Sequence, residues 1–282
     1  MEKALPHEMV HTQRELSQAA DQVVAGNAKC RPGSAFLYNH HMDSDIARRL
    51  ADLNRAFYQT FAAPFAETRL RVQPGARRLL ERIPPDATVV DLGCGNGNAA
   101  GLLAGRGHRG CYLGLDLSDS LLEIARAQHL LFPAEFRAVD LLKEDLASGL
   151  TPGSFDIVLA FAVLHHLPGK SGREAFLKAC RNLLAPNGSL HLSHWQFLRS
   201  AKLRARIVPW QEAGFAEEDV DAGDYLLDWR REGTGLRYVH VMDAQERHTL
   251  AERCGFNEVE SFSSDGEGGQ LSDYAVWRPV AG

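Results

Sequence analysis

The sequence predicts an α/β fold: a doubly wound, Rossmann-like, mostly parallel seven-stranded sheet with N-terminal helices and an inserted cap. Three observations predict it. Between residues 88 and 195, short apolar runs alternate with helical patterns of about 10–15 residues, the rhythm of βαβ units. A glycine-rich turn, Gly93-Cys94-Gly95-Asn96-Gly97, joins the first run to the first helical pattern. The chain has 282 residues, 45% of them apolar, enough to bury one large core without disulfide staples.

The elements follow in order. Residues 1–41 are polar without a sustained period and read as an N-terminal extension to a domain of residues 42–282. Asp43, Ser44 and Asp45 suit a helix N-cap. After them Ile46, Leu50, Leu53, Phe57, Phe61 and Phe65 recur at helical spacing. A second helix runs from Pro74 to Arg82, stopped by Pro84-Pro85. Five strands are expected at Thr88–Leu92, Cys111–Leu117, Glu135–Val139, Phe155–Phe161 and Ser189–Trp195. Helices at Ser118–His129 and Arg173–Leu184 connect them. Phe197–Val241 breaks the alternation and reads as the insertion. A helix at Ala244–Cys254 returns, with Gly255 placed to end it. Asn257–Phe262 and Tyr274–Trp277 read as two closing strands around the turn Gly266–Gly269.

Composition excludes several classes. No run of 18 apolar residues exists, which argues against a membrane span, and no secretory h-region opens the chain. The five cysteines are scattered, with no C-x-x-C pair. That argues against a disulfide framework or a metal centre and favours a reducing, cytoplasmic location. The net charge of −5 is unevenly distributed. Residues 1–210 carry 25 Lys and Arg against 20 Asp and Glu, whereas residues 211–282 carry 6 against 16.

The sharpest local signal is Val89-Val90-Asp91-Leu92-Gly93-Cys94-Gly95-Asn96-Gly97-Asn98, where a strand passes into a helix. Glycines there permit a tight turn and close approach of a ligand to the backbone. Asp91, two positions before the first glycine, suits a cationic ligand group. No lysine follows, so a phosphate-cradling loop is disfavoured. Asp116 ends the next strand, where a carboxylate can accept ribose hydroxyls. Asp140 ends the third, within reach of an adenine amino group. These residues resemble the class I S-adenosylmethionine-dependent methyltransferases over about Thr88–Trp195. The resemblance implies S-adenosyl-L-methionine as cofactor. It implies Gly93, Gly95 and Gly97 under the methionine part, Asp91 near its ammonium, Asp116 on the ribose and Leu117 beside the adenine. It implies Asp140 and Leu141 at the adenine edge, with Phe161 and Ala162 as backbone contacts near the sulfonium. A dinucleotide oxidoreductase is disfavoured, because no separate substrate domain is readable after the fifth strand.

Further segments bear on the acceptor. They are Thr68-Arg69, Val163-Leu164-His165-His166, Trp195, Val208-Pro209-Trp210 and Arg237-Tyr238-Val239-His240. Together they resemble the family that esterifies a carboxymethyl group on the wobble uridine of tRNA. That resemblance implies O-methylation, tRNA as substrate, and a small activator subunit as partner. Arg69, His165, His166, Tyr238 and His240 are the candidate catalytic residues. Arg69 can hold a carboxylate, and Tyr238 and His240 share one face of a strand and can line a pocket. An ionised carboxylate needs alignment and cationic donors; a general base is needed only for an acceptor that arrives protonated. The pattern departs from that family in the insertion, where seven acids from Glu212 to Asp228 occur with no Lys or Arg among them. A small-molecule carboxylate or hydroxyl is the alternative acceptor, and a non-catalytic cofactor-binding subunit the alternative from another class. Arg199, Lys202, Arg204 and Arg206 form a basic ridge that suits either solvent or a short phosphate track.

Overall fold

The computed structural model describes residues 42–67, 71–141 and 149–280. The N-terminal extension and Arg69 lie outside the described residues. A seven-stranded sheet forms the centre, in the order β3-β2-β1-β4-β5-β10-β9. Its strands are β1 (Val89–Leu92), β2 (Tyr112–Asp116), β3 (Ala134–Ala138), β4 (Phe155–Phe161), β5 (Leu184–Trp195), β9 (Phe256–Ser264) and β10 (Ser272–Pro279). The first five pair in parallel, and β10 runs antiparallel between β5 and β9. This is the expected mostly parallel sheet.

Helices cover both faces, so the inner strands read as nearly continuous apolar runs. Alternation still assigns each residue to a side. Val90 and Leu92 of β1 and Val158 and Ala160 of β4 enter one core, shared with α5 (Lys170–Leu183) and α7 (Ala244–Arg253). Val89 of β1 and Ile157 and Leu159 of β4 enter the other. There they meet α3 (Asn98–Gly105) and α4 (Asp119–Arg126) through Leu103 and Leu122. Caps fix the helix starts: Ser118 Oγ accepts the Leu121 N–H at the head of α4, and Asp243 accepts that of Glu246 at the head of α7. Gly255, just beyond α7, takes φ +75°, as its expected helix-ending place requires.

Before the sheet, α1 (Ser44–Glu67) carries the predicted apolar stripe, and α2 (Pro74–Leu80) follows. Pro64 lies within α1 and has no N–H for the Thr60 carbonyl; the helix departs from α geometry at Phe61. The insertion is a folded layer of its own. After the short helix α6 (Ala201–Arg204), strands β6 (Ile207–Val208), β7 (Asp224–Trp229) and β8 (Gly235–His240) form an antiparallel sheet. Its core of Trp210, Phe215, Leu226 and Tyr238 packs on Leu50 of α1 and on Met42 just before it. Trp210 is therefore a core residue of the cap. The strand order of the main sheet reverses between β1 and β4, and the carboxyl ends of the strands there frame a crevice under α1.

Candidate active site

A cavity of about 300 Å³ occupies that crevice. Its floor is the glycine turn. Gly93 and Gly95 line it with φ of +81° and +53°, a region that L side chains rarely adopt. A Cβ on Gly93 would stand 2.6 Å from Val163, whereas one on Gly95 would meet nothing within 4 Å. Gly97 caps α3 at φ +76° and packs under Ala125 and Gln128, without lining the cavity.

Two carboxylates enter from adjacent strand ends. Asp91 is buried on β1 and accepts the Tyr112 hydroxyl at 2.5 Å. Burial raises its pKa to about 7; the Tyr112 hydrogen bond opposes the rise and nearby Asp116 adds to it. Asp116 ends β2, accepting the Gly95 N–H at 2.8 Å on one oxygen and the Ser118 N–H at 2.9 Å on the other. Burial pushes its pKa up, while those backbone donors and that of Leu117 pull it down. Three backbone donors on about four acceptor sites leave the carboxylate room for a ligand donor. Cys94 lies beside them, and burial together with Asp91 and Asp116 raises its thiol pKa, so it is a packed thiol rather than a thiolate.

The walls come from farther along the chain. Leu117, Leu141 and Asp140 line the cavity. Asp140 accepts from Arg55 of α1 at 2.8 and 3.1 Å, and Arg55 also holds Asp52. Phe161 and Ala162, at the end of β4, line the cavity as well. Ala162 takes φ +58°, a strained value for a residue with a Cβ, and its N–H is held by the Ser193 carbonyl and hydroxyl. Arg71, Asp265 and Tyr274 also line the cavity.

The five candidate catalytic residues separate. Arg69 is outside the described residues; the described arginines on the cavity are Arg55 and Arg71. His166 lines the cavity, with its Nε2 2.7 Å from the Tyr58 hydroxyl. His165 is buried behind it, its Nδ1 accepting the Trp195 N–H at 3.2 Å. Tyr238 and His240 do share a face of β8, but that face does not line the cavity. They converge instead on Asp224 of β7. Register places His240 opposite Asp224 and Tyr238 two residues along. The Tyr238 hydroxyl and His240 Nδ1 each lie 2.7 Å from Asp224 Oδ1. His240 Nε2 reaches Glu246 at 2.8 Å, and Glu246 accepts from buried Arg173 at 3.1 Å. Both ring nitrogens face carboxylates, which raise the His240 pKa against its burial. These two residues lock the cap to α5 and α7.

Sequence reasoning missed Tyr58, Asn54 and Arg71. The first two carried a signal: Asn54 sits within the apolar stripe of α1, and Tyr58 follows it at i+4 on the same face. The basic ridge is largely engaged within the fold. Arg199 makes a bidentate pair with Asp273 at 2.7 and 2.9 Å. Arg204 donates to the Leu198 carbonyl and Arg206 to Asp228. The acids of the insertion divide: Asp221, Asp224 and Asp228 pair with groups of the fold, while Glu212, Glu217 and Glu218 are exposed.

Known proteins resemble this chain in sequence and in fold. A family model described as a methyltransferase domain matches residues 90–190. The trans-aconitate 2-methyltransferase of Azoarcus sp. is 38% identical over 240 residues, covering 72% of this chain and 90% of that protein. The tRNA (carboxymethyluridine(34)-5-O)-methyltransferase ALKBH8 of Mus musculus is 30% identical over 183 residues, covering 62% of this chain and 26% of that protein. Among solved structures, the methyltransferase in complex with the Haloferax volcanii Trm112 activator shares the fold. The TM-score is 0.57 at 19% identity, over 81% of this chain and 98% of that one.

Proposed function

The chain belongs to the S-adenosylmethionine-dependent methyltransferases, and from that premise we propose that it methylates an oxygen of a small-molecule acceptor entering beside Tyr58 and His166. S-Adenosylmethionine supplies a methyl group on a sulfonium, whose departure leaves a neutral thioether. The residues around the cavity fit it. The open space above Gly95 lets a ligand lie against the backbone. Asp91 would face the ammonium and Arg71 the carboxylate of the methionine part. Asp116 would accept the ribose hydroxyls, and Asp140, held by Arg55, the adenine amino group between Leu117 and Leu141. Phe161 and Ala162 would supply backbone contacts, with the constrained turn at Ala162 fixing where its carbonyl points. For an acceptor that is already ionised, the chain's contribution to catalysis is alignment of the acceptor oxygen and removal of water.

The observation that carries the small-molecule reading is the basic ridge. A phosphate track needs available cations, and three of the four ridge residues are engaged by Asp273, Leu198 and Asp228. The relative acting on trans-aconitate, which this chain matches along 90% of its length, is in keeping with this. A second reading is esterification of a carboxymethyl group on tRNA wobble uridine, with a small activator subunit as partner. The pattern of Thr68-Arg69, His165-His166, Val208-Pro209-Trp210 and Arg237–His240 favours it, as does the mouse relative. Transfer of a labelled methyl group from the cofactor into cell extract, split into RNA, protein and small molecules, tests both. Label in the small-molecule fraction is expected. Label in RNA, with tRNA retention that weakens steeply with salt, would replace this reading by the second.

A further inference from the structure

His166 follows the motif turn after β4, yet its orientation is set by residues far from it in sequence. Its Nδ1 lies 3.3 Å from the Tyr238 carbonyl of β8. A carbonyl oxygen can only accept, so Nδ1 carries the proton. In the neutral ring Nε2 is then an acceptor, and the Tyr58 hydroxyl, 2.7 Å away on the cavity wall, donates to it. Adjacent His165 has the opposite arrangement, since its Nδ1 accepts the Trp195 N–H and its proton must sit on Nε2. Two consecutive histidines, with ring centroids 4.2 Å apart, thus hold opposite tautomers.

What keeps the Tyr238 carbonyl in place is Asn54. This buried amide sits on α1, one turn before Tyr58. Its Oδ1 accepts the Tyr238 N–H at 2.8 Å, and its Nδ2 donates to the Tyr238 carbonyl at 3.1 Å and the His166 carbonyl at 3.2 Å. One side chain therefore brackets both partners of the His166 Nδ1 hydrogen bond.

We propose that Asn54 is a positioning residue that fixes His166 in its Nδ1-protonated tautomer, making the Tyr58–His166 wall a proton acceptor that selects an acceptor oxygen arriving as a hydroxyl. The hydroxyl proton passes to Tyr58 Oη while the Tyr58 proton passes to His166 Nε2. The oxygen keeps its electron pair for the methyl carbon, and the imidazolium that forms retains its Nδ1 hydrogen bond to the Tyr238 carbonyl. The hydroxyl part rests on the O-methyl-transfer reading. The tautomer does not, because it is a property of the ligand-free protein.

Nitrogen-15 correlation spectra of the histidine rings at pH 7 test the proposal, with the His166→Gln variant to assign the signals. In the wild type, His166 is expected as the Nδ1–H form and His165 as the Nε2–H form. The Nδ1–H form of His166 should exceed the other by roughly fivefold to tenfold, the bias of about one retained hydrogen bond. Asn54→Ala should reduce that excess towards equality and leave His165 unchanged. Tyr58→Phe, which keeps the Tyr238 and Asn54 contacts, should leave the Nδ1–H form dominant. An Nε2–H or doubly protonated His166 in the wild type would overturn the proposal, whether or not Asn54→Ala folds. A folded Asn54→Ala protein with the bias intact would overturn the role of Asn54, and loss of the bias in Tyr58→Phe would show that Tyr58 sets the tautomer instead. The labelled product decides the acceptor class: a base-stable methyl ether supports it, and a base-labile methyl ester overturns it.

Discussion

Asp91 and Asp116 reach the cavity from the ends of neighbouring parallel strands, so backbone pairing alone sets their spacing. Tyr58 and His166 reach it from a helix and a turn that are distant in sequence, touch each other directly and both lean on β8, where Tyr238 is held by an amide 184 residues away in sequence. The first wall is local and built on the sheet. The second is assembled from distant pieces and depends on the cap. A carboxylate at a strand end keeps its place when side chains elsewhere change, whereas a histidine held through a carbonyl, an amide and a cap strand can be misaligned from any of them. Cofactor binding and acceptor handling should therefore respond to different substitutions.

The largest effect is expected in the cap. Asp224→Ala removes the acceptor shared by Tyr238 and His240 and strands a buried histidine beside Glu246 and Arg173. Chemical denaturation should show a loss of about 3–5 kcal/mol, the usual result of breaking a buried ion pair from one side. The same network gives a pH dependence. The folded-state pKa of His240 is raised above its unfolded value. Its stabilisation is thus complete below the unfolded pKa and is lost as the pH rises through the folded one. Thermal midpoints measured across the neutral to alkaline range should fall more in the wild type than in His240→Gln.

Next comes Gly93→Val. It forces a β-branched residue to φ +81° and places its Cβ 2.6 Å from Val163. Strain of about 1–3 kcal/mol should appear as a lower melting temperature together with lost cofactor binding, whereas Asp224→Ala should act on stability first. A smaller effect is expected from pH on the cofactor wall. In the proposed placement Asp91, whose pKa burial raises to about 7 in the ligand-free protein, would have to ionise to meet an ammonium. Affinity should rise roughly tenfold from pH 6 to pH 8 as its carboxylate forms. A flat profile would remove Asp91 from that role. The smallest effect belongs to Lys202→Ala on the basic ridge, which should leave methyl transfer to the small-molecule fraction unchanged within about twofold, as for an exposed solvated charge.

The same division governs what could be read from the sequence. The parallel strands were legible because buried strands flanked by glycines and helices leave apolar runs of fixed length, and Asp91, Asp116 and Asp140 stand at their ends. The cap was legible only as a break in the rhythm. Its strand β6 has two residues, and β7 gains its meaning by facing β8. Parity correctly put Tyr238 and His240 on one face, but it carries no information on what that face meets, and the partner is Asp224 rather than the cavity. Charge counting likewise gave the acidic surplus of the insertion without its direction; pairing turns Asp221, Asp224 and Asp228 towards Arg173, His240 and Arg206. Asn54 was a polar residue on an apolar stripe, a position that predicts a buried hydrogen-bonding duty without naming the partner.

Calorimetric titration of S-adenosylmethionine into the wild type and Asp116→Ala tests the placement of the cofactor most directly. Asp116 accepts the Gly95 N–H of the glycine turn, and the proposed placement puts the ribose on it. One bound equivalent is expected in the wild type and an affinity about 10- to 100-fold lower in the variant, the loss of hydrogen bonds to a charged acceptor. Equal affinity in the two proteins would contradict it.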